Sequence, residues 1–252
     1  MTFTLAIANQ KGGVAKTTTV ASVGTALVDL GKRVLLVDLD PQSCLTFSLG
    51  IDPEELETSV HQVLLRQAEI ADVILETDDG PHLLPATIEL AGAEAALLTR
   101  PGREHVLRAA LEDVADSYDW VLLDCPPSLG VLTVAALSAA DSVMIPLQCE
   151  TLSHRGVGQL LDTVHDVRRY TNKKLAVMGV LPTLFDSRPK HSRAVLETIS
   201  ATYDIDVIEP PIPRSIRFAE APAAGRSILR TARSTRGAQA YRTLAENLVA
   251  GA

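Results

Sequence analysis

The residues with the clearest chemical potential in this 252-residue sequence lie in the stretch ANQKGGVAKTTTV, residues 8–20. Gly12 and Gly13 allow the backbone to turn so that its amides converge. Lys16 supplies a positive charge for terminal phosphates, and Thr17 supplies a hydroxyl that Mg²⁺ can bind. A helix that starts here adds partial positive charge at its N-terminus. The stretch therefore predicts a phosphate-binding loop.

The stretch nevertheless departs from the usual phosphate-loop pattern, G-x-x-x-x-G-K-[ST]. Aligned on Lys16, it has Gln10 and Ala15 where the pattern has glycine, and it contains a second lysine, Lys11. An ordinary glycine-containing turn between a strand and a helix is the alternative interpretation. The aspartates elsewhere in the chain favour the phosphate site, because a nucleotide site also needs metal-binding carboxylates.

Three aspartates follow apolar runs of strand length. Asp38 and Asp40 lie in LLVDLDPQ, and Asp124 ends the run in WVLLDCPPS in the manner of a Walker B segment. Mg²⁺ prefers octahedral oxygen coordination and keeps several waters, so the Thr17 hydroxyl, phosphate oxygens and one or two carboxylates suffice to bind it. A single aspartate at a strand end is more often a turn or cap residue. Three of them downstream of a phosphate loop predict a metal site.

Five apolar, β-branched runs must form the strands that position these side chains. Their hydrophobicity is continuous rather than alternating, which is typical of strands covered on both faces in a parallel sheet. Ligands bind beyond the carboxyl ends of such strands, where the glycine-rich stretch would lie. The runs are TFTLAIA (2–8), RVLLVD (33–38), DWVLLD (119–124), SVMIPL (142–147) and LAVMGVL (175–181).

Helical patterns separate these runs. Because strand and helix alternate along the whole chain, we expect an α/β fold with a doubly wound, mostly parallel sheet and helices on both faces. We expect one domain over residues 1–252. PEELETSVHQVLL is predicted to be helical and HLLPA to be a short strand. The other predicted helices cover 16–30 and roughly 103–116, 133–140, 153–170, 192–203 and 234–249.

Composition and charge limit the compartment and the partners. The three cysteines have neither C-x-x-C spacing nor an even count, which argues against a disulfide framework and favours a reducing cytosol. The sequence shows no signal-peptide pattern and no apolar run of membrane-spanning length. The net charge of -8 argues against a protein that is basic all over. Residues 188–242, however, contain ten Lys and Arg against five Asp and Glu.

The motifs KGGVAKTTT, GKRVLLVDLDPQ and DWVLLDCPPSLGVLTVAAL closely resemble those of deviant Walker A ATPases of the ParA/Soj and MinD type, whose motif reads K-G-G-x-x-K-[ST]. The resemblance continues through IPLQCE, GVLPTLFDSR and IPRSIRFAEAPAAGRSI, so it spans nearly the full chain and is closest to the ParA/Soj branch. It implies a P-loop fold that binds ATP and Mg²⁺. It also accounts for Lys11, because the second lysine of this family reaches the phosphates of nucleotide held by a partner subunit.

Three catalytic residues are implied by the resemblance. Lys11 is the signature lysine, Lys16 is the P-loop lysine, and Asp40 is the residue that the family uses to position the attacking water. Phosphoryl transfer depends mainly on positioning and charge neutralisation, so these groups and Mg²⁺ can hydrolyse ATP. Since Lys11 acts on the partner's nucleotide, the resemblance implies an ATP-bound homodimer that completes the site.

Metal and nucleotide ligands are implied in the same way. Thr17 ligates Mg²⁺, Asp124 holds it through water, and Asp38 supports the metal shell. Ala15 stands where most relatives have glycine. We expect Ala15 to begin the helix, where alanine is favourable, rather than to need a positive φ. The further nucleotide contacts by matching position are Gly12, Gly13, Val14, Ala15 and Thr18 in the loop, and Thr183, Pro213 and Arg214 around the adenine.

ParA/Soj relatives gather DNA-contacting basic residues in the part of the chain where this sequence is basic. Arginine contacts to phosphates give sequence-independent, salt-sensitive affinity, although surface ion pairs are the usual role of such a cluster. The resemblance implies that the ATP state binds double-stranded DNA non-specifically, that hydrolysis releases it, and that a ParB-like partner is the trigger. A cytoplasmic, nucleoid-associated protein is expected. The implied DNA contacts are Arg188, Lys190, Arg193, Arg214 and Arg217.

Other functions remain open at this point. A MinD-like positioning ATPase would end in a basic amphipathic helix that binds a membrane; the chain ends in AENLVAGA, without lysine, arginine or aromatic residues, so we expect no membrane partner. A small-substrate P-loop kinase or ligase would hydrolyse little ATP until its substrate arrives, and it would not respond to DNA. A nucleotide-dependent scaffold with negligible hydrolysis is disfavoured by Asp40.

Overall fold

The computed structural model describes residues 2–149, 153–186 and 190–251. Its strands form one seven-stranded sheet in the order β3-β4-β2-β5-β1-β6-β7. Only β3 pairs antiparallel, with β4 at the edge of the sheet. The mostly parallel sheet predicted from the apolar runs is confirmed. The strands are Phe3–Ile7 (β1), Val34–Asp38 (β2), Leu75–Glu76 (β3), His82–Leu84 (β4), Trp120–Asp124 (β5), Ser142–Gln148 (β6) and Ala176–Thr183 (β7).

Twelve α-helices lie within the described residues, and they cover both faces of the sheet. The predicted helix at 103–116 is interrupted, because short 3₁₀ turns flank a single α-helix of seven residues. The helices are Lys16–Asp29 (α1), Cys44–Ser48 (α2), Val60–Leu65 (α3), Ile70–Val73 (α4), Leu90–Leu97 (α5), Val106–Glu112 (α6), Val131–Ala139 (α7), Ser153–Tyr170 (α8), Lys190–Tyr203 (α9), Arg217–Glu220 (α10), Ile228–Thr231 (α11) and Arg236–Gly251 (α12).

Two hydrophobic cores lie on opposite faces of the sheet. Alternate residues of β1 show the division: Leu5 and Ile7 belong to the core under α1 and α12, whereas Ala6 belongs to the core under α7 and α8. Successive side chains of a strand point to opposite faces, and here both faces are apolar. This explains why the strand runs are continuously hydrophobic. That the whole of residues 1–252 is one domain stays a prediction.

The register of the central strands brings the predicted site together. Asp38 at the end of β2 is the Cα partner of Asp124 at the end of β5, and Asp124 is also the partner of Ile7 in β1. The glycine-rich stretch follows β1 directly, and Asp40 follows β2. All these groups therefore lie at the carboxyl edge of the sheet, as parallel pairing requires. No helix among the described residues is long and apolar enough to cross a membrane.

Candidate functional site

Side chains at both ends close the loop between β1 and α1. The Lys11 N–H donates to Asn9 Oδ1 at 2.9 Å, and the Asn9 amide donates to the Pro146 carbonyl of β6 at 2.7 Å. At the other end, Lys16 Nζ donates to the Lys11 carbonyl at 3.2 Å. Lys16 is buried, and burial lowers the pKa of its ammonium group, while Asp124 opposes that shift. The buried Lys16 side chain therefore folds back against the backbone at the start of its own loop.

The backbone of the loop is left-handed at two positions. Gly13 has a φ of 73°, which glycine adopts without steric cost, and Ala15 has a φ of 64°. The expectation that Ala15 begins the helix with a negative φ is wrong. Helix α1 starts one residue later, and the Ala15 carbonyl accepts from the Thr19 N–H at 2.9 Å and from the Thr19 hydroxyl at 2.7 Å. These two bonds hold Ala15 in a strained conformation.

We expect Ala15→Gly to stabilise the protein slightly. A non-glycine residue in the left-handed conformation costs about 1–2 kcal/mol, and glycine removes that strain. Glycine also raises the conformational entropy of the unfolded chain, which offsets about 0.5–1 kcal/mol of the gain. The net gain of up to about 1.5 kcal/mol should raise Tm by up to about 6 °C, and ATP affinity should stay within a few fold. Ala21→Gly, inside α1, is the matched control and should lower Tm. Equal destabilisation by both changes would contradict the strain at Ala15.

A hydrogen bond connects the phosphate loop with the end of strand β7. The Thr183 hydroxyl, at the end of β7, donates to the Val14 carbonyl at 2.9 Å, and both residues are fully buried. In the described structure, Thr183 therefore contacts the phosphate loop rather than an open cavity. This hydrogen bond fixes the loop to the sheet, and the place of Thr183 near the adenine stays a prediction.

Asp124 is a buried carboxylate without a hydrogen-bond partner. Neither of its side-chain oxygens receives a hydrogen bond of acceptable geometry among the described residues. Burial raises its pKa well above the usual value, Asp38 adds to the shift, and the Thr17 hydroxyl and Lys16 ammonium oppose it. Buried polar groups without partners are rare in native proteins, and a hydrated cation would satisfy this one. The residues present therefore fit Mg²⁺ held by Thr17 and, through water, by Asp124.

Asp38 has a different role in the geometry. One of its oxygens accepts from the Thr46 N–H at 2.9 Å and from the Thr46 hydroxyl at 2.8 Å, and the other accepts from the Asp40 N–H at 3.1 Å. Burial raises the pKa of Asp38 to about 6, although the hydrogen bonds from Thr46 and Asp40 lower it. Asp38 therefore fixes the turn that carries Asp40, and its support of the metal shell stays a prediction.

A cavity of about 620 Å³ connects the phosphate loop with Asp40. The Asp40 carboxylate accepts from the Gln42 N–H at 3.0 Å, which forms a tight turn at the cavity edge. From the loop, Gly12, Gly13, Ala15, Lys16, Thr17 and Thr18 line the same space. Lys16, Thr17 and Asp40 are thus brought together, and Asp124 is the buried partner of Asp38 on the adjacent strand.

Four residues that were not among the predicted site residues also line this cavity: Leu184, Ser215, Phe218 and Pro222. Pro213 lines a separate cavity that also includes Phe185 and Arg236, and its contact with the adenine stays a prediction. Arg214 is exposed beside Ser215. Sequence reasoning missed the four lining residues, although each lies within nine positions of a predicted one. Residues that line a cavity need no fixed spacing in the sequence, so the sequence offered no stronger signal.

Of the predicted DNA contacts, only Arg214 and Arg217 have described side chains. Both are exposed, and Arg217 forms an ion pair with Glu220 at 2.7 Å. Lys190 and Arg193 lie in α9 but their side chains are outside the described part, and Arg188 lies outside the described residues. Two further arginines of the basic region pair with acidic residues elsewhere in the fold: Arg226 with Asp79, and Arg230 with Asp29 at 2.8 Å.

Comparisons with known proteins identify the family of this chain. The family described as AAA domain matches residues 2–177. Sporulation initiation inhibitor protein Soj of Bacillus subtilis is 44% identical over 247 residues, which is 98% of each chain. Chromosome partitioning protein ParA of Caulobacter vibrioides is 42% identical over 248 residues, covering 97% of this chain and 93% of its own.

Solved structures also match over the full chain. A structure described as cobyrinic acid a,c-diamide synthase from Mycobacterium smegmatis, with bound ATP analogue and magnesium, is 54% identical with a TM-score of 0.89, covering 99% of this chain and 95% of its own. The septum site-determining protein MinD of Pyrococcus horikoshii, with Mg-ADP, is 24% identical with a TM-score of 0.81 over 100% and 98% of the two chains, and it shows the fold alone. ATP and Mg²⁺ are the ligands that this fold takes, and the chain belongs to the AAA domain family as a ParA/Soj-type partitioning ATPase.

Proposed function

We propose that the protein hydrolyses ATP and that an ATP-bound homodimer forms the complete catalytic site. The observation that carries this proposal is the single cavity that contains Lys16, Thr17 and Asp40 next to the unpartnered Asp124. Bound Mg²⁺ would neutralise phosphate charge there. Asp40 accepts a hydrogen bond from water and orients it, while Lys16 stabilises negative charge on the phosphates. Lys11, partly buried at the start of the loop, supplies the cation for the partner's nucleotide.

We further propose that the ATP-bound dimer binds double-stranded DNA non-specifically in the cytoplasm, on the nucleoid, and that hydrolysis releases it. The exposed Arg214 and Arg217 and the basic start of α9 support this proposal, as does the similarity to chromosome partitioning proteins. The ion pair of Arg217 with Glu220 is exposed, so it holds the guanidinium only weakly and leaves it able to exchange partners. Such a cycle would serve chromosome or plasmid partitioning.

A ParB-like partner with a basic tail is the proposed trigger of hydrolysis. From Val34 to Leu65 the chain contains six acidic residues and neither lysine nor arginine. A groove beside the Asp40 loop is lined there by Asp52, Glu54 and Glu89 and by the exposed side chains of Phe47 and Ile88. A segment that is both basic and apolar is complementary to this groove, and its binding would act directly on the turn that carries Asp40.

The proposal is tested by a salt-titrated gel shift on duplexes of unrelated sequence with ATP, ADP or no nucleotide. We expect affinity to be highest with ATP, to be equal across sequences, and to fall linearly in a logarithmic plot against salt. Arg214→Ala should reduce the salt slope by about 1. Arg169→Ala, an exposed arginine on α8, is the control and should leave the slope unchanged. Equal affinity in the three nucleotide states would remove the proposed switch.

A second candidate function is synthesis of an amide from a small acid. The solved structures described as cobyrinic acid a,c-diamide synthase favour it, because they match almost the whole chain. An enzyme of that kind hydrolyses ATP only when it activates its acid, so basal turnover distinguishes the two functions. We expect DNA to change the ATPase rate, and cobyrinic acid with ammonia to leave both the rate and the acid unchanged. Conversion of the acid to its amide would establish the second function instead.

A further inference from the structure

A buried hydrogen bond joins the C-terminal helix to the helix that follows the phosphate loop. The hydroxyl of Tyr241 in α12 lies 3.0 Å from the Thr19 hydroxyl in α1, and both residues are fully buried. Helices α1 and α12 pack side by side under one face of the sheet. Neither residue lines the nucleotide cavity, and the catalytic assignments do not use them.

The direction of this hydrogen bond follows from the number of available hydrogens. The Thr19 hydroxyl has one hydrogen, and it donates that hydrogen to the Ala15 carbonyl at 2.7 Å. Thr19 must therefore accept from Tyr241, and Tyr241 is the donor. Burial raises the pKa of Tyr241, so its hydroxyl keeps its proton. Tyr241 thus donates to Thr19, and Thr19 donates to Ala15. Ala15 is the residue that ends the phosphate loop, and its φ of 64° is strained.

The Tyr241 ring also contacts the wall of the cavity. It packs edge-to-face against Phe218, with ring centroids 5.9 Å apart and planes at 84°. Phe218 lines the nucleotide cavity and follows the exposed Arg217 in the sequence. Gly237 leaves room for this ring, because a Cβ there would lie 2.6 Å from the Phe218 side chain. Tyr241 therefore contacts both Thr19, next to the end of the phosphate loop, and Phe218 in the wall of the cavity.

We propose that Tyr241 is a positioning residue for nucleotide binding, which holds the phosphate loop in its left-handed conformation at Ala15 by donating to Thr19. A donor to the Thr19 oxygen polarises that hydroxyl and strengthens its bond to the Ala15 carbonyl. Ala15 has no side chain that could stabilise its strained backbone, so the loop depends on hydrogen bonds from α1. The proposal rests on nucleotide binding alone, and it does not require the dimer or DNA.

The test is the affinity of Tyr241→Phe for Mg-ADP, measured by calorimetry on the full chain. Phenylalanine keeps the ring and its contact with Phe218 but removes the donor. We expect the Kd to rise about two- to twelvefold, the range that corresponds to one neutral hydrogen bond. Tyr118→Phe is the matched control, because Tyr118 is also buried and its hydroxyl hydrogen-bonds His82 at 2.8 Å, close to the start of β5 and away from the loop. That variant should lose comparable thermal stability and keep the parent's Kd.

Variants of Thr19 separate positioning from packing. Thr19→Val removes the relay and should weaken Mg-ADP binding at least as much as Tyr241→Phe, whereas Thr19→Ser keeps the hydroxyl and should bind like the parent. The double variant Thr19→Val with Tyr241→Phe should bind no more weakly than Thr19→Val alone, since Tyr241 acts through Thr19. An unchanged Kd in Tyr241→Phe, or fully additive losses in the double variant, would overturn the proposal.

Discussion

Lys11→Ala is expected to reduce ATP turnover by at least about a hundredfold and to prevent ATP-dependent dimerisation. In the proposed dimer, the change removes a cation that stabilises the phosphates of the partner's nucleotide, and the loss of such a group typically has this size. The substitution should leave the loop intact, because the contacts of Lys11 with Asn9 and Lys16 use its backbone N–H and carbonyl, which alanine retains. Steady-state ATPase assays and sedimentation with ATP measure the two effects.

ADP binding by the single subunit distinguishes this result from a damaged loop. Lys11→Ala should bind Mg-ADP with an affinity within a few fold of the parent's, since the lysine serves the opposite nucleotide. Lys16→Ala is the contrasting variant, and it should lose Mg-ADP binding because it removes the buried ammonium of the cavity itself. If Lys11→Ala still dimerises and hydrolyses ATP like the parent, the shared site does not exist and only an ordinary nucleotide pocket remains.

Asp40→Ala is expected to trap the ATP-bound dimer on DNA while turnover falls by about two to four orders of magnitude. The change removes the carboxylate that we propose orients the attacking water, and the expected loss is typical of positioned catalytic groups. The backbone of Asp40 still donates to Asp38, so the strand end and the metal side of the site should persist. Single-turnover hydrolysis and the lifetime of the ATP-dependent DNA complex are the measurements.

Asp52→Ala is a matched control for Asp40→Ala. Its carboxylate accepts from the N–H two residues later, Glu54, at 3.0 Å, just as Asp40 accepts from Gln42 at 3.0 Å. Asp52 lines the proposed partner groove and not the nucleotide cavity, so removal of the same type of turn there should leave turnover in the absence of the partner unchanged. Asp40→Asn keeps the size and the acceptor but not the charge, and we expect it to be nearly as inactive as Asp40→Ala. An Asp40→Ala protein that is found only as a monomer with ATP would contradict the proposed cycle.

The fold was predictable because its sheet is buried on both faces. Each of the five apolar runs forms a strand, and the parallel pairing places Asp38 beside Asp124, as the positions of the aspartates at the strand ends required. The antiparallel edge strand Leu75–Glu76 was not predicted, since two residues are too short to show a periodic pattern. The interrupted helix at 103–116 was missed for a related reason, because 3₁₀ turns share much of the helical pattern.

The parts of the site that could not be predicted depend on contacts between distant segments. Propensity favours alanine in a helix, but Ala15 is left-handed, and the Thr19 hydroxyl that donates to its carbonyl is itself hydrogen-bonded to Tyr241, 222 positions later in the chain. The hydroxyl of Thr183 contacts Val14, 169 positions earlier in the chain, and no local pattern reveals that pairing. The ion pair of Arg226 with the buried Asp79 is equally non-local, so the excess of basic residues in sequence overstated the charge available for DNA.

The pairing of β1 with β5 has a consequence for the synthesis of the protein. Phe3 of β1 pairs with Trp120 of β5, so β1 is synthesised long before the strand with which it pairs. At about 5–20 residues per second, the interval between the two strands is about 6–24 seconds. The later contacts Val14–Thr183 and Thr19–Tyr241 delay the loop further, until residue 241 has been synthesised. A nascent chain therefore has no finished ATP site before α12 has been made, and a truncated product that lacks α12 should bind nucleotide more weakly than the full chain.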